Sequence, residues 1–263
     1  ARIQFQIGQA YGEGYGLWRN NTEAVKWYKR SAAAGNADAI GEVGRAYLFG
    51  LGDLEKNVEV GEKLLNEAVI KGSDSAACTL GHHYQPNLFN KKPDRKKAIE
   101  MFRIAAEKDY YKAFAPLASE YVEVSNGAEA LRWANGGDEP NLSDKIAHSR
   151  WELSRSMADS DGKCSYIKGE VYVFGIGGIE NNLIRAKELF EESYRKGNSR
   201  GAHALSAMYR EGIGVERNSD LAEQWKNNAA KAYDAISRDW HENNIKAFAK
   251  KLREALAGHK VSN

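Results

Sequence analysis

The sequence predicts an all-α solenoid of about six helix-turn-helix repeats, with an inserted segment and a C-terminal capping helix. The main observation is a row of tyrosines at Tyr11, Tyr47, Tyr84, Tyr121, Tyr172 and Tyr209, separated by 36, 37, 37, 51 and 37 residues. A period of this size is typical of stacked helical hairpins. Proline is also scarce, with 4 residues in 263, so few segments are barred from helix.

Small residues recur in step with the tyrosines. Three positions before the tyrosine stand Gly8, Gly44, Gly81, Ala118, Gly169 and Ser206. A second set, 13 or 14 residues after the tyrosine, comprises Ala24, Gly61, Ala98, Ala186 and Ala222. Because small side chains let two helix axes approach closely, we expect these positions to lie where the two helices of a hairpin cross.

The 51-residue interval between Tyr121 and Tyr172 breaks the period, and two segments compete to be the second helix of the fourth repeat. The stretch from Ala130 has a suitable composition, but it begins only 9 residues after Tyr121 and soon reaches Gly136. We therefore assign residues 143–158 as the structural helix and 127–136 as a short inserted helix. The predicted insertion spans about residues 122–142, in a net acidic part of the chain.

The repeats are predicted to cover residues 1–231, and the remainder, 232–263, is predicted to be a helical cap. Apolar residues at helical spacing mark this last helix: Ile245, Phe248, Leu252 and Leu256. A solenoid needs such a cap, because its last repeat would otherwise leave an apolar face in water.

Several copies resemble the Sel-one-like repeat, a relative of the tetratricopeptide repeat. The resemblance is carried by Ile7-Gly8-x-x-Tyr11, Leu80-Gly81-x-x-Tyr84, Ala24-x-x-Trp27-Tyr28 and Met208-Tyr209-x-x-Gly212-x-Gly214. It implies a right-handed superhelix in which the first helix of each pair lines a concave inner wall. It also implies adaptor or inhibitor functions, in bacteria often in the periplasm and as immunity partners of secreted toxins.

Groups that would support catalysis are not apparent in the sequence. It contains no nucleophile elbow, phosphate-binding loop or zinc-protease motif, and the glycine-rich loops do not complete a nucleotide fingerprint. Cys78 and Cys164 are predicted to be free thiols, since they lie two repeats apart. His82 and His83 are adjacent and lack a third ligand at metal spacing. We therefore expect no enzyme activity, no cofactor and no metal.

The inner wall can be derived from the helical period. Positions one, two, five and six before each tyrosine point away from the tyrosine-centred core. The partner-binding residues predicted in this way are Phe5, Gln9, Glu42, Arg45, Thr79, His82, Glu120, Tyr166, Glu170 and His203, and Ser119 lies on the same strip. Aromatic, amide and charged side chains of both signs suit a protein surface better than a lipid or a polyanion.

The predicted function is non-enzymatic binding of a partner protein in the concave groove. The resemblance implies that the partner is a toxin or effector enzyme such as a secreted phospholipase, which the chain would inhibit as a dedicated immunity protein. A general adaptor or scaffold in signalling or envelope assembly is the alternative, and an enzyme with its site in the insertion is a further one. A net charge of +2 argues against nucleic acid, and no apolar run reaches the roughly 20 residues of a membrane span. We expect the protein to be located in the bacterial periplasm or to be exported, and not to be located in the cytoplasm.

Overall fold

The computed structural model of the protein describes residues 1–16, 18–86, 93–138, 145–231 and 238–259. In these residues the regular structure consists of fourteen α-helices and two short 3₁₀ helices, without a β-strand. The predicted all-α repeat architecture is confirmed. The helices are α1 (Arg2–Glu13), α2 (Asn21–Ala33), α3 (Ala37–Phe49), α4 (Val58–Ile70), α5 (Asp74–Tyr84), α6 (Arg95–Ala106), α7 (Phe114–Glu123), α8 (Gly127–Ala134), α9 (Lys145–Ala158), α10 (Lys163–Phe174), α11 (Leu183–Arg195), α12 (Ser199–Glu211), α13 (Ser219–Lys231) and α14 (Arg238–His259).

Contacts divide the chain into two compact units, Ala1–Ala113 and Phe114–Asn263, which we call unit 1 and unit 2. Unit 1 is built from the antiparallel hairpins α1–α2, α3–α4 and α5–α6, each packed against the next. Unit 2 is built from α7–α8, α10–α11 and α12–α13, with α9 after the first hairpin and α14 after the last. The division falls inside the predicted repeats, residues 1–231.

Every hairpin is closed by the same pair of hydrogen bonds at its connection. The residue before the second helix is an Asn or Asp that donates its backbone N–H to the carbonyl of the repeat tyrosine, as Asn57 does to Tyr47 at 2.8 Å. Its side chain accepts a hydrogen bond from the first turn of that helix. The six capping residues are Asn20, Asn57, Asp94, Asn126, Asn182 and Asn218. Such a cap stabilises a helix by about 1 kcal/mol.

The small residue before each tyrosine lies where the two helices of a hairpin touch. A Cβ atom placed on Gly81 would stand 2.5 Å from the ring of Phe102, much closer than a normal contact. In the last hairpin Ser206 takes this position, and its hydroxyl donates to the Ala222 carbonyl of the opposite helix at 2.7 Å. The close helix crossing predicted from the glycines is confirmed.

The fourth hairpin differs from the sequence interpretation. Its second helix is α8, which packs against α7 and α10, so the assignment of residues 143–158 to this role is wrong. Asn126 donates its N–H to the Tyr121 carbonyl at 2.8 Å, and Ala130 is fully buried, as Ala98 is in the third hairpin. The connection is simply shorter: the capping Asn follows Tyr121 by 5 residues instead of 9 or 10.

The inserted element is α9, and it is attached by Trp151. This indole is buried, and its N–H donates to the Gly136 carbonyl at 2.9 Å, while the guanidinium of Arg155 lies over its ring at 5.3 Å. The inserted helix is therefore α9, which follows α8, whereas the predicted insertion of about 122–142 would have contained α8 itself. Residues 139–142 of that range lie outside the described residues.

Helix α14 packs against α12 and α13 and reaches α10. It buries Ile245, Phe248 and Leu252, which belong to the apolar face expected for the C-terminal helix. Together with side chains of α10, α11 and α12 they form the core of unit 2. Full burial of each such side chain stabilises a fold by about 1.5 to 3 kcal/mol, so α14 is firmly held.

Candidate partner-binding surface

Six of the predicted wall residues lie on the first helices of the three hairpins of unit 1. These residues, which we call the unit 1 wall, are Phe5, Gln9, Glu42, Arg45, Thr79 and His82. Gln9 and His82 are exposed, and the other four are half-buried. Because α3 and α5 also contact each other directly, the wall residues of these two helices lie on neighbouring elements.

The charged centre of the unit 1 wall is an ion pair on α3. Arg45 Nη2 lies 2.6 Å from Glu42 Oε2, and Arg45 Nε donates to the same oxygen at 2.8 Å. Since both side chains remain partly in water, such a pair contributes only a few tenths of a kcal/mol to stability. Either group can therefore form an ion pair with another molecule at little cost to the fold.

The aromatic members of this wall are held in place by their neighbours. The Phe5 ring lies 5.7 Å from the ring of Tyr28. The imidazole of His82 packs edge-on against Phe102 at 4.9 Å, and its Nδ1 lies 2.9 Å from Gln85 Oε1. Side chains that are already ordered lose little conformational entropy on binding, which favours affinity.

The prediction was wrong for three of the four wall residues in unit 2. Glu120, Tyr166 and His203 are 4%, 9% and 3% exposed, so they are buried rather than presented to solvent. For Tyr166 and His203 the reason is α14, because this helix folds back over the faces of α10 and α12 that the helical period left open. Glu170 is half-buried.

Polar and aromatic contacts hold α14 on these faces. His203 Nε2 lies 2.9 Å from His241 Nδ1, and Arg210 donates to Glu242 at 2.9 Å. The rings of Tyr166 and Phe248 are 6.5 Å apart. The faces of α10 and α12 that carry Tyr166 and His203 are thus covered by the chain's own C-terminal helix.

A cavity of about 230 Å³ remains beside α14, and we call it the unit 2 pocket. It lies among α7, α10, α12 and α14, and it brings together four residues of the predicted strip with two cationic ones. These six are Ser119, Tyr166, Glu170, Arg200, His203 and Lys251. The sequence placed the first helices side by side but did not reveal that α14 completes a pocket on them.

Burial sets the protonation of the groups in the unit 2 pocket. Desolvation raises the pKa of the Glu170 carboxyl, an effect opposed by the hydrogen bond from the Tyr166 hydroxyl at 3.0 Å and by Lys251 and Arg200. Burial next to His241 lowers the pKa of His203 to about 4. The His203 imidazole is therefore neutral at ordinary pH.

The depressed pKa of His203 predicts an acid-sensitive fold. In the unfolded chain this imidazole titrates near 6.5, so between about pH 6.5 and pH 4 the unfolded state binds a proton that the folded state does not. The free energy of unfolding should fall over this window, by up to about 3 kcal/mol from this one group. Chemical denaturation of wild type and His203→Gln at a series of pH values checks this. Identical pH slopes for the two proteins would contradict it.

An exposed apolar pair on α9 was missed by the sequence reasoning. Leu153 and Met157 lie one turn apart and are 61% and 39% exposed. They lie in the segment 143–158, which the sequence interpretation assigned as the structural second helix of the fourth repeat. A pair of this kind on an inserted helix is a second surface available for protein contact.

The described residues offer neither a cluster of ligands for a metal ion nor an apolar helix of membrane-spanning length. They contain no group of three or more His, Cys, Asp or Glu side chains that could hold a metal ion. Cys78 and Cys164 are both buried free thiols, as predicted. None of the described helices is both long and apolar enough to cross a membrane.

Comparison with known structures gives matches over most of the chain. A Sel1 repeat protein from Oxalobacter formigenes is 24% identical, with a TM-score of 0.62 over 88% of this chain and 87% of that one. The protective antigen c5321 of uropathogenic Escherichia coli, which has an SLR fold, is 19% identical (TM-score 0.47, 99% of this chain and 63% of that one). Immunity protein Pa5087 from Pseudomonas aeruginosa is 15% identical (TM-score 0.47, 88% and 81%). No curated protein is significantly similar in sequence.

The sequence model of the Sel1 repeat matches more than half of the chain. The matched residues are 2–36, 37–73, 75–110, 169–198 and 199–234. They leave out the segment that holds the shortened fourth hairpin and the inserted helix α9. With five matched copies, the chain belongs to the Sel1 repeat family.

Proposed function

We propose that this chain binds a partner protein through the unit 1 wall. Sel1 repeats form protein-interaction scaffolds, and the observation that supports this particular surface is the chemistry of its six residues. It combines ordered aromatic rings, an amide and an ion pair, all in contact with solvent. Interfaces between proteins are rich in aromatic and arginine side chains, which carry much of the binding energy.

In its finer form, the proposal is that the partner is a toxic enzyme and that the chain inhibits it as a dedicated immunity protein. A binder needs no reacting groups of its own for this, because covering the mouth of an active site is enough to stop the reaction. A secreted phospholipase is the candidate class, and the proposed place of action is the bacterial periplasm or beyond. Co-expression with the toxin should then preserve growth of a sensitive strain.

If the protein is an adaptor, a different effect on the partner's activity is expected. An adaptor holds two partners at once without stopping the activity of either, and the exposed pair Leu153 and Met157 on α9 offers a surface for the second. An activity assay on the purified partner separates the two functions: loss of activity in an equimolar complex supports inhibition, and unchanged activity supports the adaptor.

Replacing Arg45 with alanine should weaken partner binding by ~1 to 3 kcal/mol, the range typical of a central interface arginine. The partner is first isolated by pull-down with wild-type protein, and dissociation constants are then measured by calorimetry. Thermal stability should change little, because the pair of Arg45 with Glu42 is partly in water.

Lys63→Ala is the matched control for this experiment. Lys63 is an exposed cation on α4, the second helix of the same hairpin, so its loss changes the net charge equally. Suppose that Arg45→Ala binds the partner as tightly as wild type and Lys63→Ala binds it more weakly. The interface would then not lie on the unit 1 wall.

A further inference from the structure

Four charged side chains line the unit 2 pocket: Glu123, Glu170, Arg200 and Lys251. The last three are not paired with one another. Glu170, on α10, accepts a hydrogen bond from the Tyr166 hydroxyl. Arg200, on α12, lies with its guanidinium 5.7 Å from the centre of the Tyr166 ring. Lys251 projects from α14. In the described part of the chain, none of these three charged side chains has an oppositely charged group within 4.0 Å.

Their arrangement separates the two signs of charge. The carboxylate of Glu170 lies on a half-buried side chain, whereas Arg200 and Lys251 are exposed. Several other charged side chains of unit 2 are paired at contact distance, for example Lys196 with Asp159 at 2.6 Å. A cation binds more strongly to a partly desolvated carboxylate than to an exposed carboxylate, because less water screens the attraction. Glu170 has no cation at contact distance, so it is available for such binding.

We propose that the unit 2 pocket receives a basic side chain of the partner protein that is followed by an acidic one. The cationic head would meet Glu170 inside the pocket, and the neighbouring carboxylate would meet Arg200 and Lys251 at its mouth. The volume of about 230 Å³ accommodates the head of an arginine or lysine. The aromatic ring of Tyr166 forms one wall, and a ring face also favours a cation.

This inference rests on the proposed function, since it concerns the same partner, but it names a second contact point on a different unit. It also defines what the pocket rejects. A ligand with only a cation is repelled by Arg200 and Lys251, and a ligand with only an anion is repelled by Glu170 and Glu123. Recognition therefore requires both charges in the same order along the peptide.

The test uses three blocked dipeptides and does not require the partner. Acetyl-Arg-Glu-amide carries both charges, whereas acetyl-Arg-Gln-amide and acetyl-Gln-Glu-amide each lack one. Dissociation constants are measured by NMR titration of the full-length protein. The dipeptide with both charges should bind about tenfold more tightly than either of the others, the size expected for one charge pair in a partly desolvated site.

Variants of the pocket show which pocket residue recognises each charge of the dipeptide. In Glu170→Gln, which keeps an oxygen to accept the Tyr166 hydrogen bond, Arg-Glu and Gln-Glu dipeptides should bind equally. In Lys251→Gln, Arg-Glu and Arg-Gln dipeptides should move towards equal affinity. Lys250→Gln is the matched control, because Lys250 is the exposed neighbouring lysine on α14 and pairs with Glu254 instead.

Two results would overturn the inference. One is equal affinity of wild type for all three dipeptides, and the other is a Lys250→Gln effect as large as that of Lys251→Gln. Melting temperatures of the variants are measured to check that the fold is retained, and Lys251, which is exposed, can be changed without loss of packing. Neither result bears on the unit 1 wall, so the proposed function is tested separately by Arg45→Ala.

Discussion

Replacing Gly81 with leucine is expected to lower the free energy of unfolding by about 3 kcal/mol, at the upper end of the effects of overpacking a core. A Cβ atom at this position would already stand 2.5 Å from the Phe102 ring, so a leucine must force α5 and α6 apart. Urea denaturation followed by circular dichroism measures the effect.

Glu100→Leu is the control for this substitution. It places the same leucine on the exposed side of α6, where no close helix contact is broken. Its free energy of unfolding should stay within about 0.5 kcal/mol of wild type. A Gly81→Leu protein as stable as Glu100→Leu would show that the hairpin does not need a small residue at its crossing.

Replacing Tyr166 with alanine is expected to cost about 3 kcal/mol of stability, as truncation of a buried aromatic side chain does. The ring packs against Phe190 and Phe248 at 5.7 and 6.5 Å, and its removal would leave a cavity between α10, α11 and α14. The sequence interpretation placed Tyr166 on the binding surface, pointing away from the core, and its removal would then leave stability unchanged. This measurement therefore distinguishes the two interpretations.

Tyr166→Phe gives the matched comparison. It keeps the ring and removes only the hydroxyl that donates to Glu170, so a loss of about 1 kcal/mol is expected. Should Tyr166→Ala melt like wild type and yet bind the partner poorly, α14 would not cover this face of α10 in solution.

The features predicted correctly from sequence depend on contacts inside one hairpin. Gly81 and its equivalents lie at helix crossings because a close approach requires the same kind of small residue in every copy, and a period makes this visible. The capping Asn and Asp residues follow the same logic. Their regular position was present in the sequence and could have been found by searching for caps after each tyrosine.

The features predicted wrongly depend on chain length or on distant segments. Helix α8 was rejected because Ala130 follows Tyr121 too closely, although a shortened connection brings α8 to the same place. Burial of Tyr166 and His203 could not be derived from the helical period of their own helices. It arises from α14, a segment far along the chain, and no local rule indicates which face such a segment will cover.

The hydrogen bond from each capping Asn or Asp to the carbonyl of the repeat tyrosine has a consequence for how these proteins can vary. It ties the two helices of a hairpin together whether 5 residues separate the bonded pair, as for Tyr121 and Asn126, or 10, as for Tyr47 and Asn57. Loop length is thereby decoupled from helix packing. New residues inserted between such a pair change the surface at the edge of the stack without disturbing its interior, which makes these connections permissive sites for acquiring or engineering specificity.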